Sequence, residues 1–386
     1  MFKVDFKKYL TDNVLKFWLD NAIDDECGGI FTQVERDGTI YGEEKSVWFQ
    51  GRALWTFAKA YNKVEKNPKY LDACHKIYNF LLKCVDTDGR MFFTVKRDGS
   101  PIQKRRYYFS ETFAAIGCAQ YYKATGDIKA WENAERFFNV AKNCFDNPSL
   151  NQPKYYTKGK ALSPVMIMMA TARSMAECAP CPERYNELAK VYANEVINGG
   201  FINEELGVVL ESVNENGEFV NTPNGRVVNP GHSLETAWFL LVEGLVNKDD
   251  NMLKVGKEII DCTMPIGLDK KHGGIIGFTD ALGKPAIQLE WDMKLWWPQN
   301  EAIIANLMAY KIFGEKKYKK QYEKLLKFAF KKFEDKKYGE WYGYLHYNST
   351  PSTHIKGNIF KGPFHLPRML MILDAIENDK MVEFFK

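Results

Sequence analysis

Apolar residues recur at i, i+3, i+4 and i+7 through most of the chain, the period of a helix with a buried stripe. Twelve segments carry it, over residues 3–23, 45–64, 67–85, 108–125, 128–145, 161–178, 182–198, 231–248, 250–264, 295–313, 316–334 and 363–378. They differ in kind. Segments such as Thr236-Ala-Trp-Phe-Leu-Leu and Ala302-Ile-Ile-Ala-Asn-Leu-Met-Ala-Tyr are apolar nearly all round, as helices covered on every side must be. Others, such as Lys316-Lys-Tyr-Lys-Lys-Gln-Tyr-Glu-Lys-Leu-Leu and Asn67-Pro-Lys-Tyr-Leu-Asp-Ala-Cys-His-Lys-Ile-Tyr, keep one wet face.

A second pattern punctuates the first: an acidic residue or asparagine, a few residues, a glycine, a short apolar-alternating run and a polar turn. It stands at Asp25-Glu-Cys-Gly-Gly-Ile-Phe, Asp86-Thr-Asp-Gly-Arg-Met-Phe-Phe, Asn203-Glu-Glu-Leu-Gly-Val-Val, Asp269-Lys-Lys-His-Gly-Gly-Ile-Ile and Asp335-Lys-Lys-Tyr-Gly-Glu-Trp-Tyr, with a degraded copy expected near Asp146. A spacing of roughly 60 to 65 residues divides the chain into six units. Each glycine run reads as a local β-hairpin between one helix and the next. Six covered and six amphipathic helices in alternation predict an all-α fold, an (α/α)6 barrel with short hairpins at one end, the whole of residues 1–386 forming a single domain.

Composition narrows the class. The chain has 45% hydrophobic and 26% charged residues, which suits a packed core and excludes disordered and fibrous classes. With 53 Lys and Arg against 49 Asp and Glu, it lacks the basic excess of a nucleic-acid binder. No stretch approaches 18 apolar residues, and Met1-Phe-Lys-Val-Asp-Phe-Lys-Lys has no signal-peptide run, so a soluble, cytoplasmic protein away from membranes is expected. The eight cysteines mostly fall inside helical apolar patterns and read as reduced, buried thiols. Cys178-Ala-Pro-Cys181 has a motif spacing but neither a second pair nor a nearby histidine, and reads as a helix end broken by Pro180; no metal site is expected.

Unusual polar residues gather at or near the starts of the covered helices, hence at one barrel end: Arg52, Glu111, His232 with Glu235, Glu301, and His365 with Arg368. Convergent helix N-termini favour hydroxyl-rich or anionic ligands and disfavour imidazolium, so both histidines are expected to be neutral, as a general base near pH 7 must be. A lone histidine there more often caps or packs; two on one rim shift the balance toward chemistry. His75, on an amphipathic helix, reads as solvated, and His272 as a turn residue. Trp291, Trp296, Trp297 and Trp341 are ordinary core candidates, but beside a polar rim an indole also stacks on a sugar. No phosphate loop, dinucleotide fingerprint or zinc motif is present. Removal of a proton next to a carbonyl fits the set, with one base taking it, a second returning one from the other face, and Arg52 steadying the oxyanion.

Through Trp48-Phe-Gln-Gly-Arg, Asn229-Pro-Gly-His, Gln288-Leu-Glu-Trp-Asp-Met-Lys-Leu-Trp-Trp-Pro, Tyr338-Gly-Glu-Trp-Tyr-Gly-Tyr-Leu and Phe360-Lys-Gly-Pro-Phe-His-Leu-Pro-Arg, the sequence resembles the N-acylglucosamine 2-epimerase family over nearly its whole length. The resemblance implies a cofactor-free isomerase of the (α/α)6-barrel class that interconverts N-acetylglucosamine and N-acetylmannosamine through the open-chain sugar. His232 and His365 match the two catalytic histidines, Arg52 the carbonyl-side arginine, and Glu235 a glutamate that orients His232 or assists ring opening. Glu111, Trp297, Glu301, Phe360, Arg368 and Met168 are the expected substrate contacts. The third covered helix lacks the histidine of the related cellobiose 2-epimerases, and Phe360 stands where those enzymes have tryptophan; both departures favour an N-acyl monosaccharide. The resemblance also implies a homodimer, a place in sialic acid metabolism and ATP as an unconsumed activator, although Lys158-Gly-Lys160 is the only hint of a phosphate loop. Another sugar epimerase or aldose–ketose isomerase of the superfamily, such as a cellobiose 2-epimerase or a mannose isomerase, an inverting glycosidase using Glu111 and Glu301 and a non-enzymatic binding protein are the alternatives.

Overall fold

Helices in strict alternation account for nearly all the regular structure of the computed structural model, which describes residues 3–104, 107–151 and 159–386. We number them in chain order. Helix α1 comprises Phe6–Tyr9, a π-helical stretch Leu10–Leu15 and Lys16–Asn21. It is followed by α2 (Val47–Lys63), α3 (Pro68–Lys83), α4 (Phe109–Thr125), α5 (Ile128–Asp146) and α6 (Leu162–Cys178). The second half holds α7 (Glu183–Asn198), α8 (Pro230–Asn247), α9 (Asp250–Gly267), α10 (Trp296–Phe313), α11 (Lys316–Lys332) and α12 (His365–Glu377).

The even-numbered helices form the inner ring. Each packs on the next, from α2 on α4 round to α12 on α2, and the odd-numbered helices lie outside, as expected for an (α/α)6 barrel. Boundaries follow local chemistry. Asn67, Asp127 and Asp249 cap α3, α5 and α9 with side-chain oxygens, satisfying first-turn N–H groups that have no helical partner. Gly126 and Gly314 end α4 and α10 in the left-handed conformation. Burial separates the rings: α10 hides a continuous run from Pro298 to Ala309, whereas α11 buries only Tyr318, Leu325, Leu326, Ala329 and Phe330. Inner helices also approach closely. A Cβ on Gly51 of α2 would lie 2.6 Å from the Phe113 backbone of α4, and one on Gly117 would lie 2.7 Å from the Gly51 carbonyl.

The short strands lie at the end where the inner helices begin. Local hairpins form as expected, for example Gln33–Val34 with Ile40–Gly42 and Ile202–Asn203 with Val208–Val209. The expectation of purely local pairing is nevertheless incomplete, because strands also pair between repeats. Lys45–Ser46 runs into α2 and pairs with Thr94–Val95 of the next unit; Lys160–Ala161 pairs with Ser212–Val213, Val227–Val228 with Thr279–Asp280, and Lys294–Leu295 with Tyr344–Leu345. The strand entering an inner helix is thus fixed by the following hairpin. The degraded copy near Asp146 extends into residues 152–158, outside the described residues; before them, Asp146 ends α5 and Pro148–Leu150 forms a 3-10 turn.

Polar clasps recur with the repeats. The Gln50 amide bonds both the N–H and the carbonyl of Ile30, and Gln299 does the same for Ile275. The buried ion pairs Asp24–Lys45, Asp269–Lys294 and Asp335–Lys356 span 2.8, 2.8 and 3.1 Å. The ring's seam is closed by Arg36 on Asp335 and by the Trp18 indole N–H donating to Glu340. No helix is long and apolar enough to cross a membrane, among the described residues. All eight cysteines are free thiols; Cys178 is buried near the end of α6 and Cys181 is exposed beyond it.

Candidate active site

The barrel encloses a cavity of about 340 Å³. It opens among Trp48, Phe109, Trp297 and Phe360 and continues down the inner helices to Arg173, Glu177 and Glu243. His232, Glu235, His365, Arg368 and Arg52 all line it. Entry geometry sets the first two groups. The Asn229 side chain accepts the His232 backbone N–H, and Pro230 occupies the first position of α8, where its missing N–H costs nothing. Gly231 between them leaves room for Trp297, since a Cβ there would meet the indole at 2.6 Å. The Trp297 ring packs against both imidazoles, with centroids 5.2 Å from His232 and 5.7 Å from His365, and so spaces the two histidines.

The two rings sit in opposed environments. His365 Nδ1 lies 2.8 Å from Glu301 Oε1. Glu301 also receives Arg368 at 2.8 Å and the Trp238 indole N–H at 2.8 Å, so three donors converge on one fully buried carboxylate. Burial pushes the Glu301 pKa up while Arg368 and Trp238 pull against it. Glu301 accepts from both of those donors, and the Arg368 guanidinium also lies 3.3 Å from His365 Nδ1; with Nδ1–H donated to Glu301, the tautomer that the shorter 2.8 Å contact favours, the ring's Nε2 is left unprotonated for the cavity. Burial drives the His365 pKa well below its ordinary value, and the adjoining Arg368 charge lowers it further. This histidine is neutral, as expected.

His232 departs from expectation. Its Nδ1 stands 3.0 and 3.1 Å from the two oxygens of Glu211, a residue absent from the sequence-based set. Burial lowers the His232 pKa, but attraction to Glu211 and the hydrogen bond to it, with Glu235 and Glu301 beyond, outweigh that and raise it. The helix-terminus argument for a neutral imidazole fails here because a carboxylate at contact distance dominates partial charges spread over a turn.

Glu235 does not orient His232; its Oε1 accepts from Arg368 at 2.5 Å. Glu235, Glu301 and His365 lie close enough to hold a metal ion, but the Arg368 guanidinium supplies the positive charge among them. Arg52 is packed against Phe113, Trp48 and Phe364 at 4.1, 5.0 and 5.1 Å, and its Nε is buried without a partner.

Trp297, Phe360 and Arg368 line the cavity as expected, whereas three other expected contacts do not. Glu111 is fully buried, bonded to Arg90 and to the Met91 N–H, doing for its repeat what Gln50 and Gln299 do for theirs. Glu301 lies behind His365 rather than beside it. Met168 is fully buried; Met166 and Met169 line the cavity, a turn of about 100° per residue having rotated Met168 away. Exposed His75 meets the Tyr121 hydroxyl, and His272 is a turn residue bonded to Asp269. Trp341 is core, while Trp291 is 44% exposed.

The chain matches the profile described as N-acylglucosamine 2-epimerase (GlcNAc 2-epimerase) over residues 29–361. It belongs to the N-acylglucosamine 2-epimerase family. It is 35% identical over 380 residues to the N-acylglucosamine 2-epimerase of Mus musculus and 33% identical over 380 residues to that of Homo sapiens, covering 95% of this chain in both cases and 89% and 88% of those proteins. A cellobiose 2-epimerase of Ruminococcus albus is 26% identical over 95% of this chain and 97% of its own length. Among solved structures, a cellobiose 2-epimerase from Bacillus thermoamylovorans superposes with a TM-score of 0.85 at 19% identity, covering 97% of this chain and 98% of that one. A D-mannose isomerase gives the same TM-score and identity over 98% of this chain and 100% of that one. These likenesses fix the fold of the family member, a carbohydrate-epimerase barrel.

Proposed function

We propose that this protein interconverts N-acetyl-D-glucosamine and N-acetyl-D-mannosamine by moving one proton at C2 of the open-chain sugar. The observation that carries the reading is the pair of histidines on one cavity, spaced by Trp297 and tuned in opposite directions by Glu301 with Arg368 and by Glu211. Environments that push two titratable groups apart assign the acid and the base. Neutral His365 takes the C2 proton through Nε2 as the C2–H bond breaks. The electron pair moves into an enolate, whose oxygen faces Arg52. His232, whose pKa Glu211 raises, returns a proton to C2 from the other face in its imidazolium form, and the C1 carbonyl reforms. No electrons are gained or lost. Glu235, on the cavity wall, is the group for opening the ring.

Support for the N-acyl monosaccharide over a disaccharide comes from Phe360 at the mouth, the histidine-free wall of Met166 and Met169, and the higher identity to N-acyl epimerases than to cellobiose epimerases. A glycosidase needs two carboxylates flanking the scissile bond. Glu111 and Glu301, the pair available for that, are both fully buried and clasped. A homodimer, a cytoplasmic location, a role in sialic acid metabolism and activation by ATP belong to the same proposal and rest on family membership.

Proton NMR of N-acetylmannosamine in D2O tests the reaction. N-Acetylglucosamine bearing deuterium at C2 is expected, with His365→Ala slowing its appearance by about 10²- to 10⁴-fold, the usual worth of a general base. No exchange at C2, or full activity in the His365→Ala protein, would overturn the reading.

A further inference from the structure

The cavity does not stop at the histidines. It runs to the opposite end of the barrel, where Phe384 and Phe385, from the 3-10 turn Glu383–Phe385, form its floor. That turn is held from inside. Lys59 of α2, 1% exposed, donates to the Phe384 carbonyl at 2.8 Å, lies 4.1 Å over the Phe384 ring and is neutralised by both oxygens of Glu177 at 2.6 Å. Lys63, one turn on, donates to the Glu383 carbonyl at 2.9 Å. Burying an ammonium in a barrel is costly unless it is paired and bonded, and the proton-transfer chemistry makes no use of Lys59; its work is to fasten this turn.

What the turn supports lies directly above it. The Phe385 ring packs on the indole of Trp238 with centroids 6.0 Å apart and planes tilted by 38°. The same indole donates its N–H to Glu301 Oε2 at 2.8 Å, and Glu301 Oε1 holds His365 Nδ1 at 2.8 Å. Side-chain contacts therefore run unbroken from the floor to the histidine. We propose that Phe385 is a positioning residue for His365, acting through Trp238 and Glu301, and that the Lys59–Glu177 clasp keeps it in place. The proposal rests on His365 being the base. The charged and titratable groups facing His365 are Glu301 from α10, Arg368 from its own helix, Glu235 and His232 from α8, and Arg52 from α2. None is Phe385, so its influence travels through packing and exclusion of water.

The test compares Phe385→Ala with Phe385→Tyr, which keeps the ring, and Phe385→Leu, which keeps bulk if the alanine variant fails to fold. Two readouts are needed: kcat and KM for N-acetylmannosamine against pH, and an NMR titration of the 15N-labelled His365 ring, which needs no substrate and so stands apart from the choice of sugar. Loss of the ring admits water and loosens the Glu301 acceptor. The expected results are a five- to fifty-fold fall in kcat with KM changed less than twofold, an acid limb displaced to higher pH, the same displacement in the NMR titration, and recovery in Phe385→Tyr. An unmoved His365 titration in Phe385→Ala, or in Phe385→Leu if that is the variant that folds, would overturn the proposal even if kcat fell, because plain destabilisation lowers activity without retuning the base. If the titration moves but no N-acyl sugar turns over, the substrate reading fails while the positioning role stands.

Discussion

At the scale of single residues, the division of labour proposed for the two histidines comes from the carboxylates behind them. In the proposed reaction His365 can be the base only above its lowered pKa, and His232 the acid only below its raised one. Activity should therefore follow a bell in pH, lost on the acid side as His365 protonates and on the alkaline side as His232 deprotonates. Glu211→Gln removes the carboxylate that raises His232. Its alkaline limb should move to lower pH and its kcat fall by about 10- to 100-fold, as for other outer-shell partners; an unmoved limb in the pH profile of kcat/KM would count against the assignment. His232, His365 and Arg52 were legible from their places at inner-helix starts. Glu211 was not, because it sits in the bend between the strands Val208–Val209 and Ser212–Val213, where the period-two alternation on either side does not say which helix end the bend meets.

Elements repeat, and the repetition explains a misreading. Glu111 stands near the start of an inner helix with the other polar residues, so position along the chain marked it as a substrate contact. Aligning the repeats on their helix starts would have set it beside Gln50 and Gln299, which grip the backbone of their hairpins. Glu111→Ala should accordingly destabilise the fold by about 3–5 kcal/mol, by leaving Arg90 unpaired and the Met91 N–H unbonded. Glu111→Gln, which can still accept from Met91, should cost less, about 1–3 kcal/mol. Urea unfolding measures the first quantity, and KM for the sugar should stay unchanged in both proteins; a raised KM with normal stability would restore Glu111 to the substrate site. Helical periodicity gave all twelve helices to within a few residues, since each buries a stripe against its neighbours. Pairing between repeats stayed hidden because strands of two or three residues carry no register information of their own.

For the whole molecule, acid is the expected weakness. Asp24, Asp269, Asp280 and Asp335 are buried, which raises their pKa values, but bonds from Arg97 and Lys45, Lys294, Arg226, and Arg36 with Lys356 outweigh burial and hold all four below the ordinary carboxylate range. Carboxylates with depressed pKa values contribute stability that is present above the unfolded-state value, about 3.9, and is lost as pH falls through the folded one. The urea midpoint should be nearly flat from neutrality to about pH 5 and drop steeply below about pH 4. Asp335→Asn, which uncouples Arg36 at the seam and leaves Lys356 buried without its partner, should be weaker at neutral pH and show a shallower acid slope; an unchanged slope would place the acid sensitivity elsewhere.

The seam also has a consequence for how the chain is made. In an open array of repeats, early units can fold while later ones are still being synthesised. Here α2 needs α12 on one flank, and Arg36 needs Asp335, some three hundred residues downstream. At roughly 5–20 residues per second, the apolar flank of α2 waits on the order of tens of seconds after leaving the ribosome before its neighbour exists. His365 opens that last helix, so the nascent chain acquires its proposed base and loses its sticky flank in the same closing step.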